Sequence, residues 1–300
     1  MRRVSKHTYA EIYTMGCNPG FVATSDGVVM IDSPQRALDA MRWREKLLEH
    51  GPIRYLINTE PHGDHTIGNA YFPGVTVVGQ VRLKACFQPY IDRFGGGPVA
   101  RHQRALTEDP DSAWLMEHPD YPPYNPPTQT FTDELKLHVG NHTIHCIHMP
   151  GHTAPQTSIY LPDEGVVFTG DNVFCKCQTW LQEANPWAWL EALKAIEQLD
   201  VETIVPGHGE PCTKAYLQRQ ADIIHQWLGA AQRCLDRGMT EDEAAAYELD
   251  VKREIDPYPM GQRLEEWEHR LKGMNLRNLY RQLHIRQTQS TQSPTQSAAQ

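Results

Sequence analysis

The chain has 300 residues, of which 40% are hydrophobic and 22% charged, with a formal net charge of −9. That length holds one sizeable apolar core or two small ones, and the acidic balance excludes a general affinity for nucleic-acid phosphate. No apolar run approaches the roughly 18 residues that a membrane-spanning helix needs, so neither nucleic acid nor membrane is expected as a partner.

In chain order, Met1-Arg2-Arg3 is basic, but polar residues follow and no apolar stretch develops, so no export signal is expected. The 7 cysteines are odd in number and form no secreted-domain framework. Reduced thiols without an export signal point to the cytoplasm. Residues 9–13, 20–24 and 28–32 are short β-rich segments split by Gly, Pro and Asp turns. Residues 38–50 have helical spacing, with Leu38, Met41, Leu47 and Leu48 as the apolar positions. The strand expected at 55–58 ends in Thr59-Glu60-Pro61-His62-Gly63-Asp64-His65, a short helix follows at 67–71, and the next strand is 75–78.

Residues 84–127 differ in character, with Gly95-Gly96-Gly97-Pro98 and a Tyr-Pro-rich stretch from Tyr121 to Pro127. Proline restricts helix and sheet alike, and a long irregular segment in a compact domain is usually functional. Two readings stand: a lid or pocket wall, or a helical insertion packed on the core or on a second copy of the chain, which would make a homodimer. Strands are expected next at 136–139 and 143–148, then a hairpin of 157–161 and 166–169. A helix over 185–199 has Asn185 as cap and Pro186 in its first turn, with Leu190, Leu193, Ile196 and Leu199 as its stripe. A strand at 203–205 precedes His208, and residues 214–237 and 241–286 read as helical. Strands followed by helices, once per half, imply an α+β fold: an αββα sandwich of two packed sheets with helices outside. The expected organisation is a catalytic domain over 1–213 with an insertion at about 84–127, a helical extension over 214–286, and a Gln/Ser/Thr-rich tail over 287–300 too polar to order itself.

The chemistry concentrates in four segments. Glu60, His62, Asp64 and His65 fall within six residues, and His152, Asp171 and His208 follow in Pro-Gly-His-Thr, Thr-Gly-Asp-Asn and Pro-Gly-His-Gly. Each segment stands where an apolar run ends in a turn. Imidazoles suit zinc and iron while carboxylates suit harder ions, and seven ligands are too many for one ion but suit two. Two ions about 3.5–4 Å apart share a bridging ligand, and Asp171, isolated in sequence, is a natural bridge. Cys175-Lys176-Cys177 is too tight for a zinc pair. It reads as a buried or site-edge pair of thiols, with a redox or substrate-contact role left open.

These segments, in this order, resemble the metallo-β-lactamase superfamily from about Cys17 to about Cys212. The stretches at 18–22 and 27–32 resemble that family's first hairpin with its buried aspartate, Asp32. The resemblance implies that His62 and His152 hold one metal, that Asp64, His65 and His208 hold the other, that Asp171 bridges, and that Asp32 orients a ligand from behind. It implies a dinuclear hydrolase in which a metal-bridged hydroxide attacks an ester, thioester, lactone or amide of a small-molecule substrate, with Asp64 and Asp171 tuning the nucleophile.

One position departs. The family usually reads His-x-His-x-Asp-His, and here Glu60 replaces the first histidine. An anionic ligand adds Glu60 to the first site and favours harder ions, so iron or manganese stands beside zinc as the divalent pair. The pattern resembles that of the di-iron β-hydroxylase of chloramphenicol biosynthesis, a member of the superfamily. The alternative activity is therefore a di-iron oxygenase using O2, with a reductase as partner.

Overall fold

The computed structural model describes residues 1–12, 14–93, 125–258 and 265–292. The first sheet contains β1 (Arg2–Arg3), β2 (Thr8–Ala10), β3 (Gly20–Thr24), β4 (Gly27–Ile31), β5 (Ile53–Ile57), β6 (Thr76–Gln80) and β7 (Gln129–Phe131), side by side in sequence order. Its first half is antiparallel, and from β4 onward neighbours run parallel. The second sheet contains β8 (Glu134–Val139), β9 (His142–His148), β10 (Thr157–Leu161), β11 (Val166–Phe168) and β13 (Thr203–Val205), in the order β13-β11-β10-β9-β8. A short parallel pair, β12 (Phe174–Cys175) with β14 (His208–Gly209), stands apart.

Alternation along the strands builds the layers. Val22, Val29, Ile31, Ile57 and Val78 of the first sheet meet Ile144, Cys146, Ile159, Val166 and Val205 of the second in one cluster between the sheets. Their neighbours Phe21, Val28, Met30, Leu56 and Val77 point the other way, onto helix α1 (Ala37–Leu48). Gly27–Ile31 is therefore buried along its whole length. Parallel strands covered on both faces read as unbroken apolar runs for this reason. Beyond the second sheet lie α4 (Pro186–Glu197), α5 (Ala215–Asp236) and α8 (Glu265–Gln292), which share a cluster with Val167, Ile204, Trp189, Trp227, Leu276 and Leu279. The architecture is the expected αββα sandwich. Shorter helices are α2 (Gly63–Thr66), α3 (Val81–Arg93), α6 (Glu241–Ala245) and α7 (Val251–Glu254).

Three expectations change. The buried stripe of α1 is Ala37, Ala40, Trp43 and Leu47, and Leu48 is 51% exposed. The large apolar residues alone suggested a stripe rotated toward Leu38 and Leu48, whereas two small alanines let the helix lie close to the sheet. In α4 the Asn185 side chain caps as expected, accepting from Ala188 N at 3.1 Å, and Leu193 and Ile196 of the expected stripe are buried, but Trp189 joins them while Leu190 and Leu199 are only partly buried. The last helix runs to Gln292, past the expected start of an unordered tail at 287, with the Thr288 hydroxyl donating to the His284 and Ile285 carbonyls. Once nucleated on a packed segment, a helix extends into polar sequence because each added residue gains a backbone bond. Most of the insertion, residues 94–124, lies outside the described residues, as do Tyr13 and 293–300.

Candidate metal centre

Every segment singled out in the sequence leaves the carboxyl end of a strand, the end where open α/β sheets place their crevices. The parallel register Ile31↔Ile57 sets Asp32 beside Asn58 and Thr59. The parallel register Phe168↔Val205 sets Thr169-Gly170-Asp171 beside Pro206-Gly207-His208, and Gly207 N donates to Gly170 O at 2.8 Å. Thr157 N donates to Thr59 O at 2.8 Å, which ties the second sheet to the Glu60 loop. Asn18, in the loop before β3, donates its side-chain amide to the carbonyls of Pro206 and Gly209 and so clamps the His208 turn.

All seven ligand residues expected from the sequence meet in two adjoining groups. Glu60, His62, His152 and Asp171 each offer an atom within 4.8 Å of the others, as do Asp64, His65 and His208. In the first group, His62 Nδ1 stands 2.7 Å from Glu60 Oε2, and His152 Nε2 lies 3.2 Å from that same ring nitrogen. In the second, His208 Nε2 lies 3.2 Å from Asp64 Oδ2. Asp171 faces both groups: its Oδ2 is 3.5 Å from His152 Nε2 and 3.4 Å from His208 Nε2, and its Oδ1 is 3.1 Å from His65 Nε2. Glu60, His65, His152 and Asp171 form a floor at most 4% exposed, whereas the side chains of His62, Asp64 and His208 form a rim 23–25% exposed.

Contacts behind the floor fix the rings. Asp32, held at φ 51° after β4, accepts from the Thr59 amide at 2.8 Å and hydroxyl at 2.6 Å, and lies 2.9 Å from His65 Nδ1. That partner directs Nε2 of His65 inward, which is how carboxylate–histidine pairs set a ligand's tautomer. His152 Nδ1 donates to the Trp180 carbonyl at 2.8 Å, so its Nε2 also faces inward. His62 is turned the other way, with Nε2 bonded to Glu183 and Nδ1 facing the group. His208 stacks flat on Phe174, with centroids 5.4 Å apart.

The donor set fits cations. Both oxygens of Glu60, Nε2 of His65 and Oδ1 of Asp171 are buried and make no well-directed hydrogen bond, a costly state for buried polar groups, and they face the histidines and carboxylates of the two groups. Among the described residues, the ion-pair partners of Glu60, Asp64 and Asp171 are all histidines. Burial, together with the charge of Asp171, raises the Glu60 carboxyl above its ordinary range. Burial works against ionisation of Asp64 and Asp171 too, yet His65 and His208 hold both below the usual carboxylate range. Burial opposes charge on His208, but Asp171 and Asp64 outweigh it and push its pKa up to about 10. Protons therefore supply the positive charge that these carboxylates demand, at positions a metal would take.

The sequence reading missed several supporting groups. Glu183 and the Trp180 carbonyl belong to a loop with no motif, so no signal in the sequence marks them. Asn172 was within reach, since it follows Asp171 directly: its Oδ1 accepts from His152 N at 3.2 Å and its Nδ2 donates to Met149 O at 2.7 Å. Cys17 is buried beside Asp32 and His65, and burial pushes its thiol up to about 12, so it stays protonated. Cys175 is buried in the outer core and Cys177 packs against it, and all seven cysteines are free.

Comparison with known proteins returns one family and relatives of more than one named activity, and the chain spans less than half the length of the first of them. The family model described as metallo-beta-lactamase superfamily matches residues 12–208. A hydroxyacylglutathione hydrolase of Bartonella quintana is 33% identical over 101 residues, covering 33% of this chain and 40% of the relative. A hydroxyacylglutathione hydrolase of Brucella anthropi is 27% identical over 238 residues, covering 71% of this chain and 76% of the relative. The solved structure of a metallo-beta-lactamase family protein from Thermus thermophilus superposes with a TM-score of 0.63 at 17% identity, covering 96% of this chain and 95% of that one.

Proposed function

The chain belongs to the metallo-β-lactamase superfamily, and we propose that it is a metal-dependent hydrolase with a dinuclear centre that cleaves an ester, thioester, lactone or amide bond of a small molecule. The observation that carries this reading is the convergence of buried, unbonded ligand atoms from Glu60, His65 and Asp171. Glu60, His62, His152 and Asp171 would hold one divalent ion, and Asp64, His65 and His208 the other, with Asp171 shared. Divalent ions bound there supply a water with its pKa lowered toward ~7 and an electrophile for a carbonyl oxygen.

The chain's own residues do the positioning. Asp32 and the Trp180 carbonyl lock His65 and His152 with Nε2 inward. Glu183 occupies Nε2 of His62, so Nδ1 is left for the site. The half-buried rim of His62, Asp64 and His208 leaves that side open to a substrate, while the buried floor excludes water from the opposite side. Phe174 fixes the plane of the His208 ring. The name of two relatives, hydroxyacylglutathione hydrolase, supports hydrolysis of an acyl bond.

A second reading rests on Glu60, whose carboxylate is fully buried within the first group. It enriches that group in hard oxygen ligands and suits a di-iron oxygenase supplied by an external reductant. Metal analysis of protein purified without added metal, combined with assay on a panel of acyl esters and thioesters, separates the two. Two zinc or manganese ions that Asp171→Ala removes, together with hydrolysis, support the hydrolase. Two irons, oxygen uptake with a reductant and no hydrolysis overturn it. Asp171→Ala is expected to remove ions from both groups, and retention of both would refute the shared ligand.

A further inference from the structure

A different cluster of ligating side chains lies at the opposite end of the strands. His7 Nδ1 and His142 Nε2 approach the same oxygen, Glu164 Oε1, at 2.7 and 2.9 Å, and the three atoms lie within 4.8 Å of one another. His142 opens β9, whose other end leads to His152, so the two places are separated by roughly 20 Å at about 3.3 Å per strand residue. The side chains of His142 and Glu164 are each 3% exposed, and that of His7 is 35% exposed. A cavity of about 240 Å³ opens at the cluster, lined by Lys6, His7, Asn141, His142, Asp163 and Glu164.

The hydrogen bonds around the cluster decide what its inner atoms can carry. Ser25 N donates to Asn141 Oδ1 at 2.9 Å, which fixes that atom as the amide oxygen. His142 Nδ1 lies 2.9 Å from the same oxygen, so Nδ1 holds the proton and donates it. Glu164 Oε2 is occupied separately by the Ser5 hydroxyl and by the His7 amide at 2.8 Å. The outward atoms of His142 and Glu164 are thus satisfied, and what remains is His7 Nδ1, His142 Nε2 and Glu164 Oε1, turned toward one another. With Nδ1 donating to Asn141, Nε2 is the ring atom of His142 that a cation would take.

We propose that His7, His142 and Glu164 form a second, separate divalent-metal site, able to take zinc, that fastens the segment joining β1 and β2 to the second sheet. Two imidazoles and one carboxylate, with a fourth position open to water, is an established zinc donor set. An amide oxygen holding the outer ring nitrogen is the kind of support that orients histidine ligands. Donor atoms around a tetrahedral zinc stand about 3.3 Å apart, given bonds near 2.0–2.1 Å, so each imidazole nitrogen would draw back from Glu164 Oε1 by about half an ångström. No residue is shared with the centre at Asp171, and the proposal is independent of the activity assigned there.

The test is a metal count on the full chain. Protein stripped with chelator, reloaded with Zn2+ and desalted is compared with His7→Ala and Glu164→Gln, with folding checked by circular dichroism. The wild type is expected to hold one ion per chain more than either variant, and an Asp171→Ala chain is expected to retain one ion. Reloading with Co2+ adds a visible absorption band that Asp171→Ala keeps and Asp171→Ala/His7→Ala loses. Should Glu164→Gln fail to fold, the half-exposed His7→Ala decides alone. Equal ion counts in wild type and His7→Ala overturn the proposal and leave the cluster as a hydrogen-bonded latch.

Discussion

At the scale of single residues, the centre depends on one contact that no side chain can enter. A Cβ at Gly207 would stand 1.9 Å from Asp171 Oδ1 and 2.7 Å from the Gly170 carbonyl carbon, because the two turns are hydrogen-bonded directly. Gly207→Ala is therefore expected to displace Asp171 and lower the ion count in both groups. Metal analysis beside a thermal melt checks this, and an unchanged ion count would show that Asp171 yields without cost. His208 sets the pH response. Burial opposes its charge, but Asp171 and Asp64 raise its pKa to about 10, so the metal-free chain carries that proton at neutral pH. An ion must displace it. Affinity at the second group should rise about tenfold per pH unit per proton released and level off above about pH 10, with proton release on binding measurable in weak buffer. The metal-free chain has the opposite dependence: a raised histidine pKa adds stability that is fully present below the unfolded value near ~6.5 and is lost as pH rises through about 10. Metal titrations at about pH 6, 7 and 8 check the first trend. A flat affinity would remove His208 from the ligand set.

At the scale of elements, a helix remote in sequence supports the first ligand group. Asn275 and Asn278 of α8 bracket the loop between β12 and α4. Asn275 accepts from Leu181 N at 2.7 Å and donates to Thr179 O at 3.0 Å, and Asn278 donates to the carbonyls of Leu181 and Ala184 at 2.6 and 2.9 Å. Asp256, just past α7, accepts from Thr179 N at 3.0 Å and closes the loop from the other side. The loop so held carries the Trp180 carbonyl to His152 and Glu183 to His62. Asn278→Ala takes the bond from the Ala184 carbonyl and leaves the Leu181 carbonyl with the Ala184 amide alone, and a buried carbonyl left unbonded costs about 1–3 kcal/mol. Loosening the support behind His152 is expected to weaken binding at the first group by roughly 10–100-fold while the second group keeps its ion. Denaturant unfolding and a two-step metal titration check both parts. Equal weakening at both groups would mean that the effect is global rather than routed through the loop.

At the scale of the whole molecule, the outer face of the second sheet and the C-terminal helices form one core. Val167 and Ile204 of the sheet share a cluster with Ile224 and Trp227 of α5 and with Leu276 and Leu279 of α8. We propose that the helices after residue 213 cannot be removed from the catalytic region: a chain ending there exposes this apolar face and is expected to aggregate, with solubility and light scattering as the measurements. A soluble, cooperatively folding 1–213 fragment would refute it. Much of this molecule is legible in its sequence. The ligand residues announce themselves because a metal centre demands particular side chains, and turns at strand ends demand Gly, Pro and Asp beside them. The two-sheet architecture follows from apolar runs too short for buried helices. Asn185 could be named as a cap because capping is local. What the sequence left open depends on distance through space. The stripe of α1 turns on how closely two alanines let it approach a sheet, Glu183 and Asn278 matter only for what they lie against, and His7 meets Glu164 across the whole first half of the chain. The residue types and their order by themselves determined which atoms this protein can offer to a metal. Only the tertiary structure, by pairing parallel strands so that their carboxyl ends coincide, decided which of those atoms face one another, because contacts between distant segments follow from packing and register and not from any local pattern.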